Sequence, residues 1–165
     1  MDFLGRFSGL SLSEEDSARI ANCYNDIKEK ITERRGKVNF IEEKDWIAFS
    51  GTRYEPKLML SLSMVLDNGK HLLLADFDGG SYWQEWDYKS LDEFENAIVN
   101  YVAPMINRKV KTVIEKKRHK YIKISRYYLE GKDDWVLIDE NVFDSFAVRL
   151  RTRKDKIDVD IKSYK

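Results

Sequence analysis

Residues 58–77 constrain the fold of this chain more than any other segment. From Leu58 to Leu66 every second residue is leucine or methionine, and this period of two predicts a β-strand with one apolar face. Asn68-Gly69 follows, and this pair favours a hairpin because both residues accept positive φ angles. Residues 70–77 then supply the partner strand. The chain therefore contains an antiparallel hairpin that any fold must accommodate.

Two capping patterns predict the main helices. Ser-Leu-Ser-Glu at residues 11–14 precedes apolar residues at helical spacing, which predicts a helix over about residues 13–35. Ser-Leu-Asp-Glu at residues 90–93 opens a second helix, which should stop near Ala103 because Pro104 interrupts it. The apolar residues within 110–114 predict that this helix restarts after the proline.

The remaining patterns predict further strands and a fold class. Short apolar or alternating runs predict strands at residues 38–41, 46–50, 81–88, 121–128, 135–138, 147–152 and 157–161. Residues 142–146 fit either a helix or a strand, and strand is the preferred interpretation. We therefore expect a single α+β domain over residues 1–165, in which an antiparallel sheet of the meander and the C-terminal strands carries the two main helices on one face.

Composition excludes several classes of protein. The chain has 165 residues, of which 42% are hydrophobic and 13% aromatic, enough for one packed core. Cys23 is the single cysteine, which excludes an internal disulfide, and its place beside the apolar helix stripe predicts a core residue. No apolar run approaches the ~20 residues of a membrane span, and residues 1–10 lack the layout of a signal peptide. We expect a cytoplasmic protein with no membrane contact, cofactor or metal.

Charge is unevenly distributed although the net charge is zero. Residues 1–105 hold 12 basic and 19 acidic side chains, whereas residues 106–165 hold 17 basic and 10 acidic ones. Such fields steer charged partners toward a surface. The two charged halves either attract a partner or face and neutralise each other, and the sequence does not decide between these roles.

The acidic half contains an aromatic segment for which we predict a partner-binding surface. If residues 81–88 form one strand, Trp83 shares a face with Glu85 and Asp87, and an exposed tryptophan among carboxylates is typical of interface hot spots. The residues assigned to the core are Tyr82, Trp86 and Tyr88. The predicted partner-binding residues are Trp83, Glu85, Asp87, Asp76 and Asp78.

The basic half supports an alternative, a nucleic-acid-binding surface. Lysines and arginines cluster over residues 108–126 with tyrosines nearby, a combination that contacts phosphates and stacks on bases. The candidate nucleic-acid-binding residues are Arg108, Lys109, Lys111, Lys116, Lys117, Arg118, Lys120 and Arg126. The sequence leaves open whether this segment is functional or only a solvated face.

A third alternative is a metal-dependent phosphatase. Residues 71–79 form an apolar run that ends in Asp76-Phe77-Asp78-Gly79 and resembles the first motif of the haloacid-dehalogenase phosphatases. The resemblance implies Asp76 as nucleophile and Asp78 as acid/base, with magnesium held by carboxylates. However, Gly80 stands where that family has Thr or Ser, and the motif closes a hairpin instead of opening a parallel sheet. We therefore interpret both aspartates as turn residues.

A resemblance to a functional group of proteins rests on four features. These are the length of the chain, the lack of a catalytic constellation, the acidic and aromatic segment 76–88, and the Ser-Leu-Asp-Glu helix start that follows it. In these features the whole chain resembles the immunity proteins of bacterial polymorphic toxins. The resemblance implies a non-enzymatic inhibitor that docks a charged aromatic patch on a cognate toxin. An acidic patch favours a basic protein as that partner, because opposite charge steers the encounter.

Overall fold

The computed structural model describes residues 12–43, 46–49, 58–77, 81–117, 120–143 and 156–164. The helices among them are α1 (Glu14–Arg35) and α2 (Leu91–Val102), and short 3₁₀ turns occupy Glu85–Asp87 and Ala103–Met105. The strands are β1 (Phe40–Glu43), β2 (Trp46–Phe49), β3 (Leu58–Asp67), β4 (Lys70–Phe77), β5 (Ser81–Gln84), β6 (Lys109–Lys117), β7 (Lys120–Leu129), β8 (Trp135–Val142) and β9 (Lys156–Ser163).

Both helices begin after the serines that the sequence indicates. The Ser13 hydroxyl oxygen accepts a hydrogen bond from the Asp16 backbone N–H at 3.0 Å, and Ser90 accepts one from the Glu93 N–H at 3.2 Å. Helix α1 ends at Gly36, whose φ of 73° favours glycine. The buried apolar stripe of α1 consists of Ile20, Cys23, Tyr24, Ile27 and Ile31.

The described strands form two antiparallel sheets. The first has the order β1-β2-β3-β4-β5, and its central hairpin turns at Asn68 and Gly69 with φ angles of 48° and 77°, as predicted. The second has the order β8-β7-β6-β9. The α+β class with antiparallel strands is confirmed, and the structure divides these strands between two sheets. Helix α2 and the turn after it carry the chain away from β5 before β6 begins.

The first sheet and both helices enclose the main core. Alternate residues of β3 and β4 face the helices and are buried: Leu60, Leu62, Met64, Leu73, Ala75 and Phe77. Phe94 and Ile98 of α2 are fully buried in the same cluster. The Tyr24 hydroxyl accepts a hydrogen bond from the Leu62 backbone N–H at 2.6 Å, which fixes α1 on the sheet. The two helices therefore pack on one face of this sheet, as predicted.

A hydroxyl network at Tyr101 of α2 joins the two sheets. This hydroxyl donates to Asp139 Oδ2 of β8 at 2.6 Å and accepts hydrogen bonds from Arg126 Nη1 of β7 at 2.6 Å and from Ser81 Oγ of β5 at 2.8 Å. Burial raises the pKa of Tyr101 to about 12; the charge of Arg126 opposes this shift and the hydrogen bond to Asp139 adds to it. Tyr101 therefore stays protonated and keeps all three contacts near neutral pH.

Two local predictions are wrong. Residues 110–114 do not restart a helix but lie in β6, where β-branched residues favour an extended backbone. The strand predicted over residues 81–88 ends at Gln84, where the 3₁₀ turn begins. The ambiguous segment 142–146 starts at the last residue of β8, and the strand predicted at 147–152 lies outside the described residues.

Candidate functional site

The structure reverses the predicted burial of three aromatic residues, Tyr82, Trp83 and Trp86. Trp83 is 9% exposed and packs edge-on against a tyrosine of α2, with ring centroids 5.1 Å apart. Tyr82 and Trp86, which were predicted in the core, are 56% and 44% exposed. The cause is strand pairing: Trp83 lies opposite Ala75, which faces the helices, whereas Tyr82 lies opposite Asp76 on the other face. Trp86 is therefore the exposed tryptophan of this segment.

The predicted acidic residues do not gather on one surface. Glu85 accepts a hydrogen bond from a backbone N–H of β4 at 2.8 Å and pairs with Arg19, so this carboxylate connects α1 to the first sheet. Asp87 is exposed beyond the end of β5, and Asp76 is half-buried on the outer face of the first sheet. Asp78 lies outside the described residues. Tyr88 packs against the core, as predicted.

Carboxylates converge instead in a cleft of about 550 Å³ between α1 and α2, which we call the acidic groove. Its lining side chains are Asp26, Glu29, Lys30, Glu33, Leu91, Asp92 and Glu95. The α1 acids recur at intervals of three and four residues, so the helix presents them on one side. With five carboxylates and one lysine, the groove attracts positive charge.

Glu95 is the buried carboxylate of the acidic groove. Its side chain is 4% exposed, and its Oε2 accepts a hydrogen bond from Lys30 Nζ at 2.6 Å, while Lys30 also donates to Asp92 at 2.8 Å. Partial burial lowers the pKa of Lys30, but the hydrogen bonds to Asp92 and Glu95 outweigh this and raise it. The Glu95 carboxylate also lies within hydrogen-bond reach of the Cys23 thiol, and its Oε1 is shielded from solvent. The groove thus retains a net negative charge.

Cys23 lies on the core side of this carboxylate. The residue is fully buried, and burial, followed by the negative charge of Glu95, raises the pKa of its thiol. A thiol in this state is a weak hydrogen-bond donor and a poor nucleophile. The position of Cys23 in the apolar stripe of α1 agrees with the predicted core role.

A second polar cluster connects the start of α1 to β4. Asp16 Oδ2 accepts hydrogen bonds from the Ser13 hydroxyl at 2.8 Å and from His71 Nδ1 at 2.5 Å. Arg19 donates to the His71 carbonyl oxygen at 2.7 Å. The hydrogen bond from Ser13 lowers the pKa of Asp16, burial opposes this shift, and the contacts with His71 lower the pKa further. These contacts fasten the helix to the hairpin.

The basic residues of 108–126 do not form one continuous surface. They occupy neighbouring strands, where successive side chains point to opposite faces of the second sheet. Lys116 pairs with Asp158 at 3.2 Å, and Arg126 belongs to the hydroxyl network. Two of the remaining candidates, Arg108 and Lys111, lie over aromatic rings. Lys109 and Lys120 are exposed, and the Lys117 side chain and Arg118 lie outside the described residues.

The setting of Asp76 differs from that of a phosphatase nucleophile at the end of a parallel strand. Strand β4 is antiparallel to both of its neighbours, β3 and β5. Among the residues that the structure describes, no three His, Cys, Asp or Glu side chains are grouped so that they could hold a metal ion. The arrangement around Asp76 therefore does not reproduce the architecture that the motif implies.

Comparisons with family models, with curated proteins and with solved structures gave no match to this chain. Within the described part of the chain, no helix has both the length and the apolar character needed to cross a membrane.

The acidic groove is the feature that sequence reasoning missed. The spacing of Asp26, Glu29 and Glu33 was a readable signal, because it places three acids on one side of a predicted helix. The opposing wall was not readable, since Glu95 lies 65 residues after Lys30 and meets it only through the packing of α2 on α1.

Proposed function

We propose that the protein binds a cationic protein partner in the acidic groove, as an immunity-type inhibitor that neutralises a cognate bacterial toxin. The observation that carries the proposal is the excess of acids in the groove: five carboxylates face one lysine, and the three on α1 are exposed to solvent. An arginine or lysine of the partner that enters the groove would pair with these acids. Such charge pairs determine orientation and specificity when they are desolvated.

We add Trp86 and Asp87 to the proposed surface because both are exposed and precede the groove residue Leu91 in the chain. Trp86 is 44% exposed and lies in the turn between β5 and Leu91, a residue that lines the groove. Exposed tryptophans next to desolvated charge pairs contribute much of the binding energy in protein interfaces. We therefore assign the aromatic anchor to Trp86 in place of Trp83.

The proposal assigns no catalytic step to this chain. Its size, charge pattern and α+β fold support an inhibitor that acts in the cytoplasm by covering its target. Such an inhibitor benefits from a rigid surface, because ordering a flexible one reduces affinity. Helices α1 and α2 form both walls of the groove and pack on the first sheet, so the surface exists before the partner binds.

The test takes the product of the gene directly upstream of this chain's gene as the candidate toxin. Co-expression of this chain should restore growth of cells that produce it. The double variant Glu29→Lys/Glu33→Lys reverses two exposed acids of the groove, so affinity measured by biolayer interferometry should fall at least about 10-fold. Trp86→Ala should weaken binding by about 2 kcal/mol without changing the fold.

The matched control is Asp133→Lys/Asp134→Lys, which makes the same change of charge in an exposed turn between β7 and β8. This variant should keep its affinity within about 2-fold, since rim and remote charges contribute little. Equal losses from both double variants would show that net charge, and not the groove, drives binding. Rescue and binding that survive the groove variant intact would overturn the assignment of the site.

A further inference from the structure

The second sheet has an outer face whose composition follows from the strand registers. Residues directly opposite each other on antiparallel strands share a face, so the registers define three rows across β8, β7, β6 and β9. The first row is Leu137, Tyr127, Lys111 and Ile161. The second row is Glu140, Ser125, Val113 and Val159. The third row is Val142, Lys123, Glu115 and Ile157. We call these twelve residues the outer sheet face.

The outer sheet face is mainly apolar along its flanking strands, where five of six residues are aliphatic. Five aliphatic side chains of β8 and β9 are between 44% and 56% exposed: Leu137, Val142, Ile157, Val159 and Ile161. Together they expose on the order of 400 Å² of apolar surface. The apolar part of one side of a standard protein interface is also about 400–500 Å². The patch is therefore large enough for a specific protein contact.

The charged side chains in the three rows of the outer sheet face balance. Lys111 of β6 and Lys123 of β7 are matched by Glu115 of β6 and Glu140 of β8, and Lys123 Nζ lies 2.6 Å from Glu140 Oε2. A nucleic acid would require a net positive face, and the cationic partner of the acidic groove would require a net negative one. A neutral face with apolar flanks and charges of both signs is instead complementary to a copy of itself.

We infer that the outer sheet face binds a second copy of this chain and forms a two-fold symmetric dimer. Two sheets that pack face to face lie about 10 Å apart and bury their facing side chains. A two-fold axis through this face brings the aliphatic residues of each copy against the other copy. The same axis lets lysines of one copy approach glutamates of the other. The acidic groove uses different residues, so dimer formation and partner binding are separable.

Sedimentation equilibrium of the full chain tests the inference between about 1 µM and about 200 µM, the range of a moderate dimer affinity. The mass should rise with concentration from 19.5 kDa toward twice that value. Val159→Glu places a charge in the middle of the face and should weaken the dimer at least 10-fold, and Ile157→Lys should do the same with the opposite charge. Circular dichroism verifies that each variant is folded. If one variant misfolds, the other still tests the inference.

The matched control is Leu66→Glu, because Leu66 is 54% exposed but lies in the first sheet at the end of β3. This variant should dimerise like the wild type. A wild-type mass that stays at 19.5 kDa throughout, or a dimer unaffected by both face variants, would overturn the inference. Tight binding of a single-stranded oligonucleotide to a monomer, lost in the face variants, would also overturn it. The groove variant Glu29→Lys/Glu33→Lys should leave dimerisation unchanged, so this result is independent of the proposed function.

Discussion

Strands of both sheets carry the same alternation of apolar residues, but the apolar face is buried in the first sheet and exposed in the second. In β3, Leu60 and Leu62 are 0% and 3% exposed because the helices cover that face of the first sheet. In β9, Ile157 and Val159 have the same spacing but are 54% and 56% exposed. Alternation therefore determines which side chains share a face, whereas a covering element determines whether that face is buried.

We expect the largest difference in stability between truncations of Trp83, which is buried, and of Trp86, which is exposed. Trp83→Ala should lower the free energy of unfolding by about 3–5 kcal/mol, because it removes a buried indole from the core. The matched variant Trp86→Ala should cost less than about 1 kcal/mol, since that side chain is exposed. Urea unfolding followed by circular dichroism measures both. Equal or reversed costs would contradict the inner position of Trp83.

Two lysine ion pairs extend the comparison of buried and exposed positions from apolar side chains to charges. Lys30 and Lys123 are 22% and 21% exposed, but their partners Glu95 and Glu140 are 4% and 36% exposed. Lys30→Met should cost about 3 kcal/mol, because it leaves a buried carboxylate without its cation. Lys123→Met should cost less than about 1 kcal/mol, because solvent screens an open pair. Chemical denaturation of both variants gives the difference, and similar costs would show that the two pairs are equally exposed to solvent.

Removal of the Tyr101 hydroxyl tests how much its hydrogen bonds contribute to holding the two sheets together. Tyr101→Phe should cost about 1–2 kcal/mol, because Asp139 and Arg126 lose a partly buried hydrogen-bond partner. Tyr82→Phe is the matched control, since Tyr82 is 56% exposed, and its thermal midpoint should not change. If both variants melt like the wild type, the network contributes nothing to the junction between the sheets.

The smallest expected effect concerns the contact of α1 with the first sheet. The pKa of Asp16 in the folded protein lies below its ordinary value of 3.8. The ionised carboxylate therefore stabilises the fold fully above pH 3.8, and this stabilisation is lost as the pH falls through the pKa of the folded state. The cost of Asp16→Asn should therefore be larger near about pH 7 than near about pH 2. Ser13→Ala removes the main cause of the shift and an N-cap, and should cost about 1 kcal/mol at neutral pH. Urea midpoints across this pH range measure both, and a cost of Asp16→Asn that does not change with pH would contradict the assignment.

The parts of the fold that were predictable from the sequence depend on local chemistry. The hairpin at Asn68-Gly69 and the helix starts at Ser13 and Ser90 each need only a few neighbouring residues, and each is found where it was predicted. The α+β class follows from the order of these elements. The division into two sheets was not predictable, because it depends on where α2 directs the chain.

The candidate site was less predictable, because it depends on tertiary packing. Alternation correctly separated Tyr82 from Trp83 but could not say which face the helices cover. The 3₁₀ turn at Glu85–Asp87 then ended the strand, so the predicted grouping of Trp83 with Asp87 has no structural basis. One wall of the acidic groove was readable from α1 alone, while the other required the position of α2.

The buried thiol of Cys23 provides an internal reporter of conformational opening. Thiol reagents react with accessible thiolates, and Cys23 is fully buried with a raised pKa. Labelling must therefore wait until the stripe of α1 that carries Cys23 separates from the core. The chain has one cysteine, so each labelled molecule records one such separation. The labelling rate thus measures how often α1 leaves the first sheet under native conditions, without denaturant and without an added probe site.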